Sequence, residues 1–211
     1  MTTAPKHLET PRLILRPFEA DDAPAVFAYR SDPLVMKFVP SGPDRSLAQT
    51  ERLIEQFQEH QRTCGFSKWA ITLKATGAVI GDAGLLLLAR DYDPEVGHRL
   101  APGDSHPRLA AEGGDAELGY RLSREHWRHG FATESGRAWL GAAFSLFGRE
   151  RVVAFVHPDH VASIRILSKL GMLCERLTRF YGMEASSYSM TREAWTREVG
   201  ATRPISTDAS R

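Results

Sequence analysis

The chain has 211 residues, 42% hydrophobic and 25% charged, which is ordinary globular composition with enough apolar surface for one core, or two small domains at most. Its 27 basic and 26 acidic side chains leave a net charge of +1, so no global field draws it to nucleic acid or an anionic membrane. No apolar run approaches the ~20 residues of a bilayer span, and the opening residues lack the apolar segment of a signal peptide. A cytoplasmic location is the expectation. Cys64 and Cys174 are isolated in sequence, which predicts two buried or half-buried thiols rather than a disulfide framework.

The first predicted element is a strand over Arg12–Phe18, with Leu13 and Leu15 on one face and Arg12, Ile14 and Arg16 on the other. Glu19, Asp21 and Asp22 then open a helix running through Tyr29, acids first, as the helix dipole favours. Ser31–Asp44 holds three prolines and a glycine and reads as a loop. A helix follows over about Ser46–Arg62, with Leu47, Ile54 and Phe57 roughly on one stripe. Lys68–Lys74 and Ala78–Leu88 read as paired strands joined through Gly77. Ala89–Asp115 is rich in Pro, Gly, Asp and His without periodicity, the mark of a solvated insertion or a substrate lid.

The second half predicts a strand Ala116–Leu122, a helix Ala132–Phe147 ended at Gly148, a doubly covered strand Arg151–His157 and a helix His160–Leu170 ended at Gly171. Strands Met172–Phe180 and Ser186–Thr191 close the sheet. Thr196–Arg211 is polar and reads as a flexible tail. This order defines an α/β layered domain.

The segment Trp127-Arg128-His129-Gly130-Phe131-Ala132-Thr133-Glu134 joins a strand to a helix. A glycine there permits a tight turn and close backbone approach, and the first helical N–H groups have no internal partner. Together they make a site for phosphate or pyrophosphate. The pattern is neither a Walker A loop nor a three-glycine dinucleotide fingerprint, which argues against ATP and NAD.

The same segment resembles the acetyl-CoA pyrophosphate loop of the GNAT superfamily of N-acetyltransferases, usually Gln/Arg-x-x-Gly-x-Gly/Ala, with Trp127 where Gln or Arg is usual. Three further blocks resemble the ribosomal-protein-acetylating branch. His157 to Met172 is similar to its segment PxNxASxRxLEKLGF, with His160 in place of Asn and Met172 in place of Phe. Leu8 to Arg16 is similar to its LxTxRLxLR opening, and Thr191 to Trp195 to its TREEW ending. The four blocks run in order over residues 8 to 195, the expected extent of a single domain.

The resemblance implies a three-layer α/β/α acyl-CoA N-acyltransferase fold, with a mixed, mostly antiparallel sheet of about seven strands. The strand Ala116–Leu122 would splay from Arg151–His157. The pantetheine arm of acetyl-CoA would enter that gap and pair with backbone at Tyr120, Arg121 and Leu122. Amides of Arg128, His129, Gly130, Phe131, Ala132 and Thr133 would hold the pyrophosphate, and His160 and Ser163 would flank the thiol end. Arg121, Arg124 and Arg128 would face the 3′-phosphate end or be solvated.

The implied reaction is direct attack of an amine on the thioester. Alternation puts Glu117 on the more polar strand face, opposite Ala116, Leu118, Tyr120 and Leu122. The family often places a catalytic carboxylate there, so the resemblance makes Glu117 the expected general base, with a salt-bridged or solvated glutamate as the equal alternative. A backbone N–H near Leu122 would meet the oxyanion. Ser163 and Tyr181 are the expected donors to the leaving thiolate, Tyr181 equally a packing residue. No metal is expected: His126 with His129, and His157 with His160, lack a third ligand. The partners are then acetyl-CoA and an amine acceptor, a protein N-terminus or a small-molecule amine, with the protein a monomer or homodimer. The rival reading is an acyl-CoA-binding sensor without turnover.

Overall fold

The computed structural model describes residues 5–88, 114–180 and 182–199. Its strands are β1 (Leu8–Glu9), β2 (Leu13–Arg16), β3 (Lys68–Leu73), β4 (Val79–Leu87), β5 (Ala116–Leu122), β6 (Arg151–Val156), β7 (Leu173–Phe180) and β8 (Met183–Thr191). Its helices are α1 (Ala23–Arg30), α2 (Leu47–Cys64), α3 (Phe131–Ser145), α4 (Val161–Lys169) and α5 (Arg192–Val199). One eight-stranded sheet runs in the order β1-β2-β3-β4-β5-β6-β8-β7. Every pairing is antiparallel except β5 with β6.

The strand count exceeds the expected seven because β1, only two residues long, pairs with β2 through Leu8↔Leu15 and Glu9↔Ile14. Such a short strand carries no readable alternation. The end of the chain also differs: residues read as the start of a tail belong to α5, and Trp195 is buried against Phe144. Cys174 is exposed rather than buried, because it lies on the edge strand. Among the described residues no helix is long and apolar enough to cross a membrane. The insertion 89–115 lies outside the described residues up to position 113.

Strand alternation sorts side chains into two layers. On one face Trp69, Ile71, Leu85, Leu87, Leu118, Val152, Ala154 and Met190 pack on Trp139, Leu140 and Ala143 of α3 and on Leu167 and Leu170 at the end of α4. Trp69 and Trp139 meet edge to face at 4.8 Å with no solvent exposure. Gly136 lets α3 approach α4 closely, since an added Cβ would fall 2.8 Å from Leu170. On the opposite face Ala70 packs on Phe18, Val26, Tyr29 and Ile54 of the α1–α2 layer.

Sequence-local signals account for the helix ends. Ser46 caps α2 by accepting from the Gln49 amide, and Gly65 ends it at φ 79°. His60 fastens α2 to the sheet: Nδ1 donates to the Phe66 carbonyl at 2.7 Å and Nε2 accepts from the Leu87 amide at 3.1 Å. That pairing requires a neutral ring, and burial duly lowers the His60 pKa. At the far edge, β7 is solvated along most of its length, with Leu173 70% and Leu177 76% exposed.

Candidate active site

The β5–β6 pair opens. The two strands register only at Ala116↔Val152 and Glu117↔Val153, while β5 stays paired with β4 from Ala116 to Leu122 and β6 with β8 from Arg151 to Val156. Past Glu117 the parallel strands therefore diverge, and each leads into a helix start, β5 toward α3 and β6 toward α4. The Ser123 amide bonds the Ile80 carbonyl and the Leu88 amide bonds the Asp115 carbonyl. Odd residues of β5 thus face β4, and by alternation the backbone groups of Leu118, Tyr120 and Leu122 face the opening.

One end of the opening carries an array of unused donors. Gly130 (φ 83°) is the N-cap of α3, and Arg128 (φ 65°) is the one non-glycine of the described residues in the left-handed region. The first backward helical bond is from the Glu134 amide to the Gly130 carbonyl. Among the described residues, the N–H groups of Arg128 through Thr133 have no hydrogen-bond partner, and those of Phe131 to Thr133 open the helix at its positive end.

The geometry of this loop is fixed from outside. Arg12 Nη1 donates to the His129 carbonyl at 2.9 Å, and its guanidinium carbon lies 4.4 Å from the Phe131 ring centre. In a trans peptide the N–H opposes the C=O, so drawing the His129 carbonyl toward Arg12 turns the Gly130 N–H away from it, outward. Glu134 holds Arg12 in place, accepting from its Nε at 2.7 Å and its amide at 2.9 Å, and from the Thr10 hydroxyl at 2.6 Å. Burial alone raises the Glu134 pKa, but these hydrogen bonds outweigh it and hold the carboxyl below its ordinary value. The Trp127 indole donates to the Leu122 carbonyl at 2.8 Å, tying the loop to the end of β5.

On the α1–α2 face, a polar row crosses the sheet. The registers Lys68↔Gly84↔Gly119 and Ala70↔Asp82↔Arg121 place Lys68, Asp82, Arg121 and Glu117 on one side. Asp82 accepts from the Tyr29 hydroxyl at 3.0 Å and from Arg121 Nη1 at 3.2 Å. Glu117 is half-buried. Burial raises its pKa, against the pull of Lys68 and Arg121.

Across the opening, the Tyr120 phenol lies 3.0 Å from the Ser163 hydroxyl, and burial keeps that phenol protonated well beyond its ordinary range. His160 precedes α4, its ring stacked on Phe38 at 4.6 Å, with His157 stacked on Phe38 at 5.1 Å. Burial, then the neighbouring His157 and Lys37, lower the His160 pKa. Phe38 belongs to the loop after α1. Asp32 in that loop pairs with Arg124 at 3.3 Å, and its base is closed by Arg30 and Asp44.

The structure therefore gathers Glu117, Tyr120, Leu122, His160, Ser163 and the Arg128–Thr133 amides around one opening. Arg121 is turned away, with its side chain on Asp82 and its backbone toward β4. Arg124 serves the Asp32 loop. Tyr181 lies outside the described residues. His126 bonds Ser123 at 2.7 Å and His129 stacks on Phe131. Among the described residues no three His, Cys, Asp or Glu side chains come together as a metal site. Sequence reading missed Phe38, Lys68 and Asp82, and used Thr10, Arg12 and Glu134 only as motif letters.

This fold and this opened strand pair define an acyltransferase-type α/β protein. The chain belongs to the GNAT acetyltransferase family: the Acetyltransferase (GNAT) domain matches residues 12–173. It is 33% identical over 175 residues to YoaA of Bacillus subtilis (strain 168), described as an uncharacterized N-acetyltransferase, covering 82% of this chain and 86% of that one. In fold it is similar to a GNAT-family acetyltransferase from Bacillus anthracis (TM-score 0.69, 19% identity, 89% and 99% of the chains). It is also similar to a ribosomal-protein-S5-alanine acetyltransferase from Vibrio fischeri (TM-score 0.65, 15% identity, 90% and 98%).

Proposed function

We propose that this chain moves an acetyl group from acetyl-CoA to a primary amine, a protein N-terminus or a small-molecule amine, by direct attack in a ternary complex. The observation that carries the reading is the divergence of β5 from β6 beside six unpaired amides. A diphosphate fits those amides, and an extended amide-bearing arm fits the exposed backbone edge of Leu118, Tyr120 and Leu122. Arg121 contributes to this arrangement through Asp82 rather than by contact with the coenzyme.

Glu117 takes the proton that the attacking amine must shed, directly or through one water. An α-amino group with a pKa near 8 is partly protonated at neutral pH, and a lysine amine almost wholly so, hence the need for a base. The Leu122 N–H faces the growing negative charge on the carbonyl oxygen. The Ser163 hydroxyl, braced by Tyr120, donates a hydrogen bond to the leaving thiolate, which departs as the CoA anion while Glu117 passes the amine's proton to solvent. Tyr181 is the second candidate for that step.

The test is steady-state release of CoA thiol from acetyl-CoA with N-terminal peptides, polyamines, amino acids and aminoglycosides, followed by product mass. Amine-dependent release with a mass gain of one acetyl group is expected. Binding without such release would replace the reading by the sensor alternative, and absence of any affinity for acetyl-CoA would end both. Arg12→Ala is expected to weaken acetyl-CoA binding about tenfold, roughly 1.4 kcal/mol, because the His129 carbonyl is then free to swing back over the donors. Calorimetry with acetyl-CoA checks this; an unchanged Kd would show that the loop holds its shape without Arg12.

A further inference from the structure

Lys68 is a lysine where the sheet has no ordinary use for one. It lies on β3, is only 8% exposed, and its amine bonds one group, the Gly84 carbonyl at 3.3 Å. Among the described residues no carboxylate lies within ion-pair distance of it. The amine rests on Gly119 of β5, where an added Cβ would collide with the nitrogen, so the missing side chain at 119 makes the space. Glu117 is two residues along on the same face of β5, at the point where β5 and β6 part.

The other charges around this pair are already committed. Arg121 and the Tyr29 hydroxyl both bond Asp82, Arg30 of α1 is paired with Asp44, and His60 of α2 is neutral between two backbone groups. Lys68 is the cation with nothing else to neutralise, and the carboxylate next along the face is Glu117.

We infer that Lys68 is a positioning residue for the proposed base: its ammonium, seated on Gly119, keeps Glu117 ionised and ready to accept a proton. The inference rests on the reading of Glu117 as that base. Burial pushes the Lys68 amine down to about 8, while Glu117 and then Asp82 oppose that fall. Lys68 therefore stays largely charged through neutral pH, the range in which Glu117 needs its counter-charge.

The experiment is the pH dependence of kcat/KM for amine acetylation, calculated on the unprotonated acceptor, in wild type, Lys68→Gln and Glu117→Gln, with acetyl-CoA affinity and thermal unfolding as checks on folding. Gln removes the charge and keeps an N–H donor on a side chain one atom shorter. In Lys68→Gln the acidic limb should move up by about one pH unit, with acetyl-CoA affinity unchanged. A limb that coincides with wild type overturns the inference while leaving Glu117 as base, provided Glu117→Gln abolishes the limb. A limb that survives in Glu117→Gln overturns both.

Gly119→Ala gives a second, independent reading, since its methyl displaces the amine without removing the charge. It should move the limb in the same direction, and no movement there counts against Lys68 even if Lys68→Gln does not fold.

Discussion

Glu117→Gln is expected to lower kcat by about 10²–10⁴-fold while acetyl-CoA affinity stays at the wild-type value. The amide is nearly isosteric with the carboxylate but accepts no proton. The loop amides and the β5 edge, which serve the coenzyme, do not include this side chain. Burial raises the Glu117 pKa, so the wild-type acidic limb should lie above the ordinary carboxylate range. The sign follows directly: the ionised form is the active one, and activity is lost as pH falls through the raised pKa. In Glu117→Gln the limb should vanish. A variant within threefold of wild type in kcat would remove Glu117 from the chemistry and leave its burial as a matter of packing.

Asp44→Ala is expected to cost about 3–5 kcal/mol of folding stability, the usual penalty for stranding one member of a buried ion pair. The Arg30 side chain is 6% exposed and that of Asp44 1%. Arg30 reaches the carboxylate with Nε at 2.7 Å and Nη2 at 3.0 Å, and the Thr50 hydroxyl adds a bond at 2.7 Å. Without Asp44 the buried guanidinium loses its bidentate partner. Equilibrium urea unfolding measures the loss, and a change below 1 kcal/mol would mean that the site relaxes enough to admit solvent. The pair also closes the base of the loop that brings Phe38 onto His157 and His160. Loosening it should therefore raise KM for the amine more than KM for acetyl-CoA.

The sequence made the second half of the chain readable because its elements are regular. Ala116–Leu122 alternates cleanly and is a strand with those bounds, and Gly130, Gly148 and Gly171 all adopt the positive φ their places imply. The glycine turn into α3 was visible from local chemistry alone. What held that turn in shape was not, since Arg12 and Glu134 are 122 positions apart and no periodicity links them.

The polar row was hidden for the same reason. Lys68 reads as the first residue of an apolar strand, and only the register Lys68↔Gly84↔Gly119 shows its amine beside Glu117's strand. Phe38 sits in a proline-broken loop, where an aromatic carries no directional signal. Leu47 shares a stripe with Ile54 and Phe57 yet is 38% exposed as the first residue of α2.

The sheet's last strand has a consequence for how this protein survives at high concentration. Among the described residues nothing pairs with the outer edge of β7, and an open β edge carrying Leu173 and Leu177 is a template onto which another chain can add by backbone pairing. Arg176 and Arg179 stand on the same strand, where like charge would repel a second copy laid against the first in register. Exchanging both arginines for threonine is expected to leave the acetyl-CoA site unchanged while promoting filaments.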